Sequence, residues 1–172
     1  MNEFLDRMLR AAKLDSHLYE EVEADKSLMG QAMLVVVLSS LASGLGNIAQ
    51  AGAGAIVIMT LLALVSWFIW AFLTYIIGTK LLPTANTEAD YGQLLRTIGF
   101  SSSPGVIRVI GIIPGLTGIV FAAANIWMLV AMVIAVRQAL DYESTLRAVG
   151  VCLIGWLIQA VILGLTLAAM GS

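Results

Sequence analysis

The lengths of the apolar runs restrict this chain more than any other feature. Residues 28–48, 56–77, 116–136 and 148–170 carry almost no charge. Each is long enough to cross a hydrocarbon core about 30 Å thick as a helix rising about 1.5 Å per residue. With 60% hydrophobic and only 12% charged residues, and a mean hydropathy of +0.96, the chain lies outside the range of soluble domains. The expected class is an all-α integral membrane protein.

A fifth, weaker candidate begins near Tyr91 and includes SSSPGVIRVIGIIPG, residues 101–115. It contains Pro104, Pro114 and the charged Arg108, so it either crosses or dips in and returns. Charge placement separates the two. With five crossings, Arg7, Arg10, Lys13 and Lys26, then Lys80 and Arg96, then Arg137 and Arg147 all fall on one face. With a dip and return, the loop holding Arg137 and Arg147 moves to the other side. The positive-inside rule therefore favours five crossings, the N-terminus cytoplasmic and the C-terminus outside. Residues 91–113 reach about 34 Å if helical.

Pro104 would break this third crossing near its middle, freeing carbonyls around Phe100 and Ser101 that nearby serine hydroxyls can satisfy inside protein. The second half then starts with proline at a favoured first helical position and stops at Pro114 and Gly115. Thr87 with Asp90 three residues later reads as a capping box before the crossing.

Ahead of the first crossing, Phe4, Leu5, Met8 and Leu9 share one helical face, with Asp6, Arg7, Arg10 and Lys13 opposite. This reads as an amphipathic helix lying in the membrane interface, the alternative being a frayed terminal helix. In SHLYEEVEADKS, Leu18, Tyr19 and Val22 share a face among acids and read as a solvated lead-in. Two segments follow: a cytoplasmic interfacial part, 1–27, and a five-span membrane domain, 28–172. No cleavable leader is expected, because the first residues mix acids and bases.

Candidate functional residues are few. Arg108 has two readings: it snorkels to the outer headgroups, or it turns into the bundle toward helix carbonyls, Asn125, or an anionic ligand or lipid phosphate. Asn125 and Gln159 are the polar groups inside the fourth and fifth spans. Trp70 and Tyr75 read as interface anchors, and Trp67 as deeper packing. Cys152 and His17 are each alone, and no acid lies within a span. A metal site, a nucleophilic triad and a proton relay are thus disfavoured, and neither enzyme activity nor a cofactor is expected. The loop RQALDYESTLR, with Arg137, Gln138, Asp141 and Arg147, and the apolar face of the first helix are the expected partner surfaces. The same arginines serve equally as orientation charges.

Three stretches carry a family resemblance: SSSPGVIRVIGIIPG, IWMLVAMVIAVRQALDY (126–142) and STLRAVGVCLIGW (144–156). Together with HLYEEVEADKSLMGQA (17–32), they resemble the Yip family of membrane proteins, the Ypt/Rab-interacting group and its bacterial relatives. The resemblance implies five transmembrane helices with a cytoplasmic N-terminus and a tendency to form complexes. Eukaryotic members act in vesicle traffic between endoplasmic reticulum and Golgi and bind small GTPases. This sequence departs from them by lacking a long cytoplasmic N-terminal region and looks bacterial, which counts against a GTPase partner.

The expected function is a non-enzymatic membrane scaffold or accessory subunit in a bacterial inner membrane. It would pack with other membrane proteins or further copies, or shape the bilayer. A small channel or carrier with a path near Arg108 is the alternative. Its surroundings would be lipid, and no nucleic acid is expected.

Overall fold

The computed structural model describes residues 2–48, 52 and 54–170. Among these it is all helical. Helices α1 (Glu3–Ala12) and α2 (Ser16–Ala24) form a short N-terminal hairpin, and α3 (Met29–Gly46) and α4 (Ala55–Ile76) follow. A wider π turn, Ile77–Leu81, extends α4. Next come α5 (Tyr91–Phe100), a 3₁₀ segment (Ser103–Ile112), α6 (Thr117–Ala139) and α7 (Thr145–Met170). Three stretches, Lys26–Gly46, Ile56–Leu81 and Thr117–Ala139, are long and apolar enough to cross a membrane, and Thr145–Val161 is a shorter apolar helix.

The α1–α2 hairpin is closed by local chemistry. Asn2 and Asp15 cap the two helices, each accepting from a backbone N–H two residues on. Between them Leu14 adopts φ 64°. Its N–H donates to the Ala11 carbonyl at 3.0 Å and that of Asp15 to Arg10 at 3.1 Å, the Schellman pattern. The hairpin is more than a lead-in: Leu18, Tyr19 and Val22 are fully buried, and α2 packs on both α5 and α6. Phe4 and Met8 also pack inward, whereas Leu5 and Leu9 are about half exposed.

The cap of α5 sits three residues later than its sequence reading. Asp90 is the N-cap and pairs reciprocally with Gln93, while the Thr87 hydroxyl accepts from the Thr84 N–H at 2.9 Å. Thr87 is already committed to the preceding turn, and Asp90 has the amide at N3 that a capping box needs.

Every residue from Leu94 to Phe100 is buried. Helix α5 and the 3₁₀ segment run alongside α3 in the same direction: Gly99 faces Ala32, Gly105 faces Ser39, and Gly46 meets the Arg108 carbonyl. Helix α6 returns in the opposite sense, with Met128 by Gly105 and Phe121 by Gly111. A methyl group on Gly46 would overlap the Arg108 backbone, so this glycine is what lets the two segments touch. Helix α4 is peripheral, its apolar span only 11% buried.

A candidate intramembrane anion site

The α-helix ends where proline removes a donor. The Ser101 hydroxyl donates to the Ile98 carbonyl and that of Ser103 to the Phe100 carbonyl, both at 2.7 Å, and Pro104 stands in the first turn of the 3₁₀ segment. The winding then matters. At three residues per turn, positions three apart align in a row. Gly105, Arg108 and Gly111 form one such row, and both glycines are buried, whereas Val109, Ile110 and Ile112 on the other rows are exposed. The row turns Arg108 inward with an unbranched position on either side.

The Arg108 guanidinium donates through Nη2 to the Asn125 side-chain oxygen. It also lies 5.6 Å from the centre of the Phe121 ring, within cation–π range. Its Nε is buried with no hydrogen-bond partner among the described residues, and so is the indole nitrogen of Trp70. Both atoms belong to residues lining a laterally open cavity of about 610 Å³ bordered by α3, α4, the α5–3₁₀ junction, α6 and α7. Asn125 and Gln159 line it as well, together with the hydroxyl-bearing Ser39, Ser40, Ser66, Ser101 and Ser102. A second cavity of about 280 Å³, with Ser43 and Asn47 in its wall, also reaches Arg108.

Arg108, Asn125 and Gln159, scattered in sequence, are thus gathered around one space. Trp70, read from the sequence as an interface anchor, stands in its wall instead. Trp67 is buried and donates to the Leu95 carbonyl at 3.0 Å, fixing α4 to α5.

The loop after α6 is organised differently. Asp141 has φ 50°, with its N–H donating to Gln138 and that of Tyr142 to Arg137, both at 2.9 Å, a second Schellman ending. Arg137 donates to the Tyr142 carbonyl at 3.1 Å and Gln138 to Glu20 at 2.8 Å. These two side chains are engaged within the chain, while Asp141 and Arg147 are exposed. Tyr142 donates to the Leu82 carbonyl at 2.7 Å, tying this loop to the end of α4.

Sequence reasoning passed over Arg96. It is buried and donates to the carbonyls of Val22 and Glu23, closing the C-terminal end of α2. Nothing local sets it apart from the other orientation charges, such as Lys80 and Arg147. Nearby, burial pushes the Glu23 carboxyl up to about 7, with the Asp141 charge adding to the rise. Facing α1 the reverse holds: hydrogen bonds from Arg7 and Arg10 lower Glu21 of α2, and one from Arg10 lowers Asp15. No cluster of three or more metal-ligating side chains occurs among the described residues.

A bundle of helices long and apolar enough to cross a membrane, folded around a largely apolar cavity, defines an integral membrane protein. Residues 17–167 match the Yip1 domain, and the chain belongs to the Yip1 domain family. The matched span begins inside α2, the helix buried against α5 and α6. No curated protein and no solved structure matches the chain.

Proposed function

We propose that this Yip1-domain protein is a non-enzymatic scaffold or accessory subunit of a bacterial cytoplasmic membrane, packing with other membrane proteins or shaping the bilayer. The carrying observation is that its bundle is open at the side. Asn125 on α6 and Gln159 on α7 are exposed amides on otherwise apolar helices. In hydrocarbon such groups favour hydrogen bonds to a neighbouring helix.

In this reading the protein crosses five times, with the N-terminus cytoplasmic, and the proline-broken α5–3₁₀ unit is the third crossing. Its parallel course beside α3 supports that, as does its length. Ten α-helical and ten 3₁₀ residues together reach about 35 Å. The exposed Leu5 and Leu9 of α1 and the exposed Asp141 and Arg147 are the cytoplasmic surfaces offered to a partner.

Purification from the native membrane in mild detergent should recover stable partner subunits. A solitary monomer that conducts or carries anions in liposomes would replace this reading with the second one, a small channel or carrier. That reading is favoured by the cavity at Arg108.

A further inference from the structure

We propose that the cavity beside Arg108 is a binding site for a phosphate-type oxyanion, with the headgroup of an anionic membrane lipid as the expected source. The inference goes beyond the partner-packing role and holds whether or not a partner subunit exists.

It starts from an imbalance of charge. Arg108 brings a full positive charge to a space whose other walls are neutral. No carboxylate lines either cavity that reaches it. A cation drawn into an apolar bundle without a counter-charge is costly, and its one side-chain hydrogen bond, to Asn125, goes to a neutral amide. The missing component is an anion.

Geometry states what kind. Arg108 Nε and the Trp70 indole nitrogen are buried donors with no acceptor among the described residues, and both residues line the same space. Unsatisfied buried donors are rare and mark an acceptor that belongs there. A guanidinium with an unpaired Nε–H suits an oxyanion with several lone pairs, and guanidinium pairs well with phosphate.

Shape argues for the lipid source. Around the polar group the walls are mainly apolar, including Met128, Leu129 and Trp156. Volumes of about 610 and 280 Å³ that meet at Arg108 exceed what a bare anion fills. An acyl chain against the apolar wall with its phosphate at Arg108 satisfies both parts.

The test uses the full chain reconstituted in nanodiscs of phosphatidylcholine alone, or with added phosphatidylglycerol. A separate detergent arm adds inorganic phosphate. Thermal midpoint and native mass spectrometry of retained lipid are the readouts. Phosphatidylglycerol should raise the midpoint and stay bound through delipidation, and Arg108→Gln should lose both effects while Arg108→Lys keeps part of them. Trp70→Phe, which deletes one donor from a wall residue, should weaken retention about tenfold and serves as the readout should Arg108→Gln fail to fold. Protection by inorganic phosphate that Arg108→Gln abolishes also supports the site and assigns a soluble anion as its source. Equal behaviour of wild type and variants in every arm, or phosphatidylcholine retained as well as phosphatidylglycerol, overturns the proposal. Partner recovery is a separate measurement, so failure of the scaffold reading and failure of this site are distinguishable.

Discussion

Gly46 shows how a single hydrogen can decide a helix contact. Its backbone abuts the Arg108 carbonyl, and backbone cannot swing aside as a flexible side chain does. Gly46→Ala should therefore push α3 off the 3₁₀ segment and cost about 1–3 kcal/mol, the usual range for overpacking, read as a lower thermal midpoint in detergent. Glu23 responds to protons instead. Its folded value of about 7 stands above the ordinary 4.5, so the folded state holds the proton more tightly than the unfolded one. Its stabilising contribution is fully present below pH 4.5 and is lost as pH rises through 7. Glu23→Gln should flatten that decline, gaining midpoint relative to wild type at pH 8 but not at pH 4.5. Glu21 and Asp15, held low by their arginines, act oppositely: their contributions are lost as pH falls toward the acid range.

At the scale of elements, helix α1 is held to α2 and to the bundle by few but specific links. The Trp127 indole donates to the Ala12 carbonyl at 2.7 Å, joining the end of α1 to the body of α6. Arg10 binds Asp15 and Glu21 at 2.8 and 2.7 Å, and Arg7 binds Glu21 at 2.9 Å. Trp127→Phe keeps the ring but removes the donor and should cost about 1 kcal/mol. Hydrogen exchange should then quicken in α1 while α5 stays protected; uniform quickening would mean that α1 is not an independent unit.

These elements show which parts of the fold could be read beforehand. Three long apolar helices follow from length and hydropathy alone, because lipid leaves backbone no other way to satisfy its polar groups. Which row of the third segment turns inward was harder to foresee, since a periodicity search assumes 3.6 residues per turn and the row Gly105, Arg108, Gly111 aligns only at three. The N-cap was misplaced because Thr87 and Asp90 satisfy the same local pattern, and only the turn at Thr84 separates them. The gathering of Arg108, Asn125 and Gln159 around one cavity is a tertiary fact, and so is the capping of α2 by Arg96. No local signal in the chain carries either.

For the whole molecule, orientation is the property that integrates all of this. In a variant with Cys152→Ser, single cysteines at Asn86 and at Gly115, on either side of the third segment, should label from opposite sides of an intact vesicle if five crossings are made. Labelling of both from the same side would require the third segment to turn back. The stretch from Ser103 to Ile112 also has a consequence for how the sequence tolerates change in length. A three-residue turn makes its register brittle: removing Val106 rotates every following side chain by about 120° and exchanges the row that carries the cation for one that meets the hydrocarbon. Val106→Ala should be nearly silent, whereas the deletion should abolish the yield of folded protein from membranes. The segment behaves like a ratchet with three teeth, on which composition can drift but the count cannot.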